Sequence, residues 1–271
     1  METVNKPQAS YLQEMLHLPI PGIRGIHLAR WEWLACILIV LILLVTRLVA
    51  LDTRAYHHDE SLHAKMAWDL MNGVAYRYDP VYHGPFQYFG TAAVFKLFHA
   101  GDFTGRLLPA IFGCGIVFLV PWLYRIHLGR CGTWIAMIAL NLSTGFMYFS
   151  RFARNDIYMA FWTVFLFGVL LRYIDKPQRR WVILAGMSLG FAFVTKENAY
   201  ITGFIFVTFV LLLGIWVWQT CPVEGPLGTS MLTVVRAFRA LWNDPEGFGY
   251  SLAIFLGIVF LFMTSFFTNM P

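Results

Sequence analysis

The stretch Trp33–Leu51 reads WLACILIVLILLVTRLVAL. A run of this length and polarity can carry a helix across the roughly 30 Å hydrocarbon core of a bilayer. In hydrocarbon the backbone has to satisfy its own hydrogen bonds, so an open run of this kind is helical. Six more apolar runs follow it, at Leu107–Tyr124, Gly132–Phe149, Ile157–Ile174, Trp181–Val194, Ala199–Trp218 and Tyr250–Phe267. The chain is therefore predicted to be an all-α integral membrane protein with about seven transmembrane helices. Segment 1–32 would precede a transmembrane domain at 33–271, and Trp181–Val194 is the shortest of the seven runs.

Composition points the same way. Apolar residues make up 58% of the chain and charged residues 13%, against roughly a quarter charged in a soluble domain. The net charge of +5 is not arranged as a basic stripe with interleaved aromatics, so no nucleic-acid partner is expected. The cysteines, Cys36, Cys114, Cys131 and Cys221, lie in or beside apolar runs without paired spacing. They make neither a disulfide framework nor a zinc signature. No cleavable leader precedes the first run, which is read as an uncleaved span. Asn141-Leu142-Ser143 matches a glycosylation acceptor but falls within a predicted span.

Lysine and arginine set the orientation. With segment 1–32 in the cytoplasm, one face collects Lys6, Arg24, Arg30, Arg125, Arg130, Arg172, Lys176, Arg179, Arg180, Arg236 and Arg239. Basic residues on the opposite face almost all have an acid nearby in sequence. Seven spans then put the C-terminus outside. Residues 52–105 become a long first outer loop. Within it Asp59–Met71 is predicted as an amphipathic helix with Leu62, Met66 and Leu70 on one stripe. Tyr76–Pro85 is read as a turn region, and Phe86–Phe98 as an interfacial helix too short to span.

Four polar clusters fall on that outer side. Tyr56–His63 holds His57, His58, Asp59, Glu60 and His63. Its plainest role would be helix capping by Asp59, with Glu60 at the positive end of the helix dipole. Capping needs one such residue, whereas this stretch has two acids and three histidines. His58 and His63 are five residues apart, not the four that a helical zinc-protease motif requires. No metal site is predicted, with a divalent cation on these histidines kept as the alternative. Tyr82-His83-Gly84-Pro85-Phe86 is read as a turn that brings His83 towards Asp59. Ser150–Asp156 holds Arg151, Arg154 and Asp156, where arginine forks suit phosphate oxygens and a local Arg154–Asp156 pair is the plainer reading. Thr195-Lys196-Glu197-Asn198 puts charges at the outer end of a span, a pattern that signals function unless the side chains merely snorkel.

An Asp-Glu pair after the first span, a His/Pro turn, Arg-x-x-Arg-x-Asp and Thr-Lys-Glu, in that order, resemble the GT-C superfamily of polyprenyl-phosphate-dependent glycosyltransferases. The nearest branch is the protein-mannosyltransferase-like family 39. Residues His58–Phe89, Ser150–Trp162, Thr195–Tyr200 and Thr264–Asn269 are most similar to a prokaryotic group associated with lipid-linked sugar flipping. The resemblance runs from Trp33 to the end. Members of that family continue further, so the chain is expected to correspond to their N-terminal half. The resemblance implies a sugar donor on a polyprenyl phosphate, used at the outer face of a prokaryotic inner membrane. It implies Asp59 as the base or acceptor-orienting group, with Glu60 as its partner. It also implies that Arg151, Arg154 or Lys196 neutralises the lipid phosphate. Asp156 would pair with one of these or hold acceptor, and His58, His83 and Glu197 would line the substrate site. Two other readings are kept: a non-catalytic subunit of a larger membrane assembly, and a component of a lipid-linked sugar flippase.

Overall fold

The computed structural model describes residues 30–220 and 226–267. Most of segment 1–32, Lys6 and Arg24 included, lies outside the described residues, as do Cys221 and the last residues of the Thr264–Asn269 stretch. Among the described residues the chain is helical throughout, without strands.

Helix α1 (Arg30–Leu48) is followed by helices α2 (His58–Met71) and α3 (Phe86–Phe98), with a short 3-10 turn at Pro80–Tyr82 between them. Next come α4 (Asp102–Leu119), a π-turn at Val120–Tyr124, α5 (Arg125–Leu142) and the short α6 (Thr144–Ser150). The remainder is α7 (Asn155–Asp175), α8 (Arg179–Phe193), α9 (Asn198–Thr220), α10 (Pro226–Trp242) and α11 (Pro245–Met263). By length and composition, three helical stretches among the described residues can cross a membrane: Asp102–Leu142, Asn155–Asp175 and Pro245–Met263. Leu34–Leu48 and Asn198–Phe209 are shorter apolar helices.

The 41 residues of Asp102–Leu142 would extend about 60 Å as one helix, twice the thickness of the hydrocarbon core. The chain does not stay straight. Pro121 lacks an amide hydrogen and sits in the π-turn, and Gly129 takes φ 65° and ψ −175°, a combination open to a residue without a Cβ. Beyond Gly129, Met137 of α5 joins Ile39, Val117 and Val120 in one buried cluster. The predicted run Gly132–Phe149 is not continuous either. Ser143 is extended, and its Oγ accepts from the Phe146 amide at 3.3 Å, ending α5 and capping α6. Helix α10, placed by the sequence in a cytoplasmic loop, carries Arg236 and Arg239.

Helix α7 is the central strut, contacting α4 on one side and α8 on the other, while α11 packs along α8. The core is aromatic. The Phe86 ring meets Phe112, Tyr158, Trp162 and Phe191 at centroid distances of 5.5, 5.5, 5.9 and 5.6 Å. Phe86 begins α3, so this cluster pins α3 to the bundle. Leu34, Ile37 and Leu41 on α1, Phe204 and Leu211 on α9, and Leu256 and Phe260 on α11 point outward. Exposed apolar side chains on such long faces fit a lipid environment.

Candidate functional site

The segment between α1 and α4 is tied down at Glu60. His57 caps α2: its Nδ1 accepts from the Asp59 amide, and Glu60 Oε2 accepts from the His57 amide at 3.0 Å. The capping role that the sequence offered to Asp59 thus belongs to His57 and Glu60. Glu60 is 1% exposed. Its carboxylate takes Nε and Nη2 of Arg106, both at 2.8 Å, and the Ala153 amide at 3.0 Å. Arg106 spends its remaining hydrogens on the carbonyls of Leu51, Arg54 and Ala55. Burial alone would raise the Glu60 carboxyl, but the bonds from Arg106, Ala153 and His57 outweigh it and hold the group below the usual carboxylate range. Both Glu60 oxygens are engaged, so the residue that the sequence paired with Asp59 for chemistry is a tie between loop, α4 and the Arg151–Asp156 segment. Asp59, one residue earlier, lines a different cavity from Glu60 and meets Arg154 Nη1 at 3.4 Å.

The turn before α3 brings in His83. The Gly84 amide donates to Thr195 O at 3.1 Å and the Phe86 amide to Val194 O at 3.0 Å, docking the turn on the end of α8. A Cβ on Gly84 would collide with the Val194 carbonyl. His83 is held at φ 67°, and its Nδ1 lies 2.8 Å from Glu197 Oε2.

The two arginines of the Ser150–Asp156 cluster part company. Arg151 donates from Nη1 to Thr46 O and Val49 O and from Nη2 to Ala50 O, at 2.8, 2.9 and 2.8 Å. It closes the C-terminal end of α1, where carbonyls lack partners. It lines a separate cavity of about 280 Å³ with Arg54, Arg106 and Phe152. Arg154 stands between Asp59 and Asp156, 3.7 Å from the latter. Asp156 makes its shorter bond to Lys196 Nζ, at 2.6 Å. The local Arg154–Asp156 pair thus exists, but as the looser half of a longer chain: Asp59, Arg154, Asp156, Lys196.

A cleft of about 230 Å³ opens on this chain, lined by His58, Asp59, Leu62, His63, Val81, Tyr82, His83 and Arg154. Of the nine predicted site residues, His58, Asp59, His83 and Arg154 share that cleft. Asp156, Lys196 and Glu197 join it through ion pairs, while Glu60 and Arg151 brace the loops behind it. The sequence reading missed Arg106, and it named His63 only within the first cluster and as a possible cation ligand, not among the substrate-site residues. Arg106 had a signal, an arginine set directly before an apolar run. His63 had one too, four residues from Asp59 and so on the same helix face. Among the described residues no three His, Cys, Asp or Glu side chains are gathered as a metal site.

The contacts of Arg154 with its two acids, at 3.4 and 3.7 Å, are longer than a charge-assisted hydrogen bond, about 2.7–2.9 Å. A phosphate could displace them with shorter ones. The cleft therefore places a carboxylate, a cation and imidazole rings at one solvent-open face.

The sequence profile of the family described as dolichyl-phosphate-mannose-protein mannosyltransferase matches residues 53–267. No curated protein matches the chain. Among solved structures, ArnT from Cupriavidus metallidurans bound to undecaprenyl phosphate is similar at 21% identity and a TM-score of 0.61, over 86% of this chain and 45% of ArnT. The S. cerevisiae protein O-mannosyltransferase Pmt1-Pmt2 complex bound to the sugar donor is similar at 21% identity and a TM-score of 0.59, over 95% of this chain and 35% of that one. The archaeal oligosaccharyltransferase AglB from Archaeoglobus fulgidus is similar at 16% identity and a TM-score of 0.55, over 88% and 33%. The chain spans less than half the length of these structures, and the likeness is one of fold.

Proposed function

The chain belongs to the dolichyl-phosphate-mannose-protein mannosyltransferase family, and from that premise we propose that its cleft transfers a sugar from a polyprenyl phosphate to an acceptor hydroxyl. The observation that carries this reading is the meeting of Asp59, His83 and Arg154 from three distant segments in one cleft, with Asp156 and Lys196 continuing the row.

In this reaction the acceptor oxygen attacks the anomeric carbon and the bond from that carbon to the phosphate oxygen breaks. The leaving polyprenyl phosphate keeps the bonding electrons, and the acceptor proton passes to a base. Asp59 is the base: it is the one carboxylate lining the cleft, and Arg154 both orients it and is exchangeable onto phosphate. Arg154 and Lys196 steady the charge that grows on the departing phosphate, the kind of electrostatic help that costs no reorganisation at the moment of reaction. Glu60 does not touch substrate; with Arg106 it fixes the start of α2 so that Asp59 faces the cleft. Arg151 is likewise assigned to bracing rather than to phosphate. The lipid class is supported by the similar structures holding undecaprenyl phosphate and a sugar donor. We place the chain in a prokaryotic inner membrane, its first helix entering from the cytoplasm and the cleft on the outer face, as the lysine and arginine distribution favours.

The test is transfer of radiolabelled sugar from a polyprenyl-phosphate donor in membranes holding wild type or Asp59→Asn. The substitution is expected to lower transfer by about 10²–10⁴-fold, the range for loss of a general base. Equal transfer by both proteins removes Asp59 from the mechanism. Donor binding without transfer by the wild type turns the reading towards a non-catalytic subunit.

A further inference from the structure

His63 lines the cleft but is absent from the mechanism above. Its side chain is 7% exposed, and its Nδ1 lies 2.9 Å from the Tyr88 hydroxyl. That hydroxyl has one hydrogen and gives it to the Tyr82 carbonyl, which can only accept, at 2.6 Å. The Nδ1 must therefore carry the hydrogen of the His63–Tyr88 bond. The other ring nitrogen, Nε2, is left as a bare lone pair, with no partner among the described residues. Tyr88 is fully buried and packs on Tyr76 at 5.1 Å, so the relay that fixes this tautomer cannot swing away. Burial, then the charges of His83 and Arg154, hold the imidazole at about 4, well below the ordinary 6.5. His63 is uncharged at neutral pH.

A bare, neutral lone pair repels phosphate oxygens and is too weak a base to strip an alcohol. What it takes is an O–H. One helical turn away lies Asp59, and Arg154 lines the same cleft. A glycosyl phosphate carries an anion and a ring of hydroxyls within a few ångströms, which matches a cation beside a neutral acceptor. We propose that Nε2 of His63 receives a hydroxyl of the donor sugar and is the contact by which the cleft distinguishes a glycosylated lipid phosphate from the bare lipid phosphate. This rests on the reading of the cleft as a lipid-phosphate sugar site.

The full-length protein in detergent is tested for binding of polyprenyl-phosphate mannose and of bare polyprenyl phosphate. Wild type is expected to favour the mannosylated lipid by about three- to tenfold, the worth of one uncharged hydrogen bond. In His63→Asn the amide still reaches Tyr88 but nothing stands at the Nε2 position. Its preference should fall to about one, with affinity for the bare lipid unchanged. In His63→Gln the amide oxygen reaches the Nε2 position, and part of the preference should return. Retention of the full preference in His63→Asn overturns the assignment. So does an equal loss of both lipids in a variant that still folds, which would make His63 a structural residue only. A wild type that binds neither lipid defeats the underlying reading of the cleft and the assignment with it, a result distinct from either of those.

Discussion

Asp59 and Glu60 are neighbours in sequence with opposite surroundings. Glu60 is buried with four donors on its carboxylate, whereas Asp59 is open to the cleft with one loose arginine contact. Breaking a buried pair by removing one partner strands the other charge, typically a loss of 3–5 kcal/mol. Glu60→Ala should therefore destabilise the protein in detergent by about that amount, while Asp59→Ala should cost less than about 1 kcal/mol, as for an exposed pair. Because the folded Glu60 carboxyl lies below its ordinary value of 4.5, its contribution is complete above that pH and fades as pH falls further. The gap between wild type and Glu60→Ala in thermal unfolding should narrow accordingly, and identical unfolding of both variants at neutral pH would refute the bracing role. The sequence displayed the charge cluster but could not say which acid would be buried. That depended on Arg106, nearly fifty residues away, and on which amides the fold aims at Glu60. The partners of Arg151 were hidden for the same reason, since they are backbone carbonyls, which every sequence has.

At the scale of elements, helices α2 and α3 were legible because their apolar stripes and flanking turn residues are local signals. The structure places them at His58–Met71 and Phe86–Phe98. The break at Ser143 was not legible, because a serine inside an apolar run is equally compatible with a continuous helix until packing decides. The helix at Pro226–Trp242 was passed over because arginines interrupt its apolar pattern. The element most tightly bound to the site is the turn Tyr82–Phe86. Its Gly84 has no room for a side chain against the Val194 carbonyl, and its amides are spent on the end of α8. Gly84→Ala must push the turn away from α8 and separate His83 from Glu197. Transfer is expected to drop at least tenfold while helicity, read by circular dichroism, stays intact. Full activity in Gly84→Ala would show that the docked turn is irrelevant to the site.

Across the whole molecule, three segments separated by up to a hundred residues meet in one cleft of a helical bundle. Charge bias in the sequence assigned these segments to one predicted face, but their internal pairing could not be read from it. The pairing leaves Arg154 as the cation most easily drawn from its acids, with Lys196 behind it on Asp156. The cavity beside Arg54 and Arg151 stands apart as the alternative seat for an anion. The most direct measurement is the position of the phosphorus atom in an experimental structure of the protein with bound polyprenyl-phosphate sugar. The phosphorus is expected in the cleft, its oxygens within hydrogen-bond reach of Arg154, with the sugar beside Asp59. Phosphate seated against Arg54 and Arg151, with the Asp59 cleft empty, would contradict it.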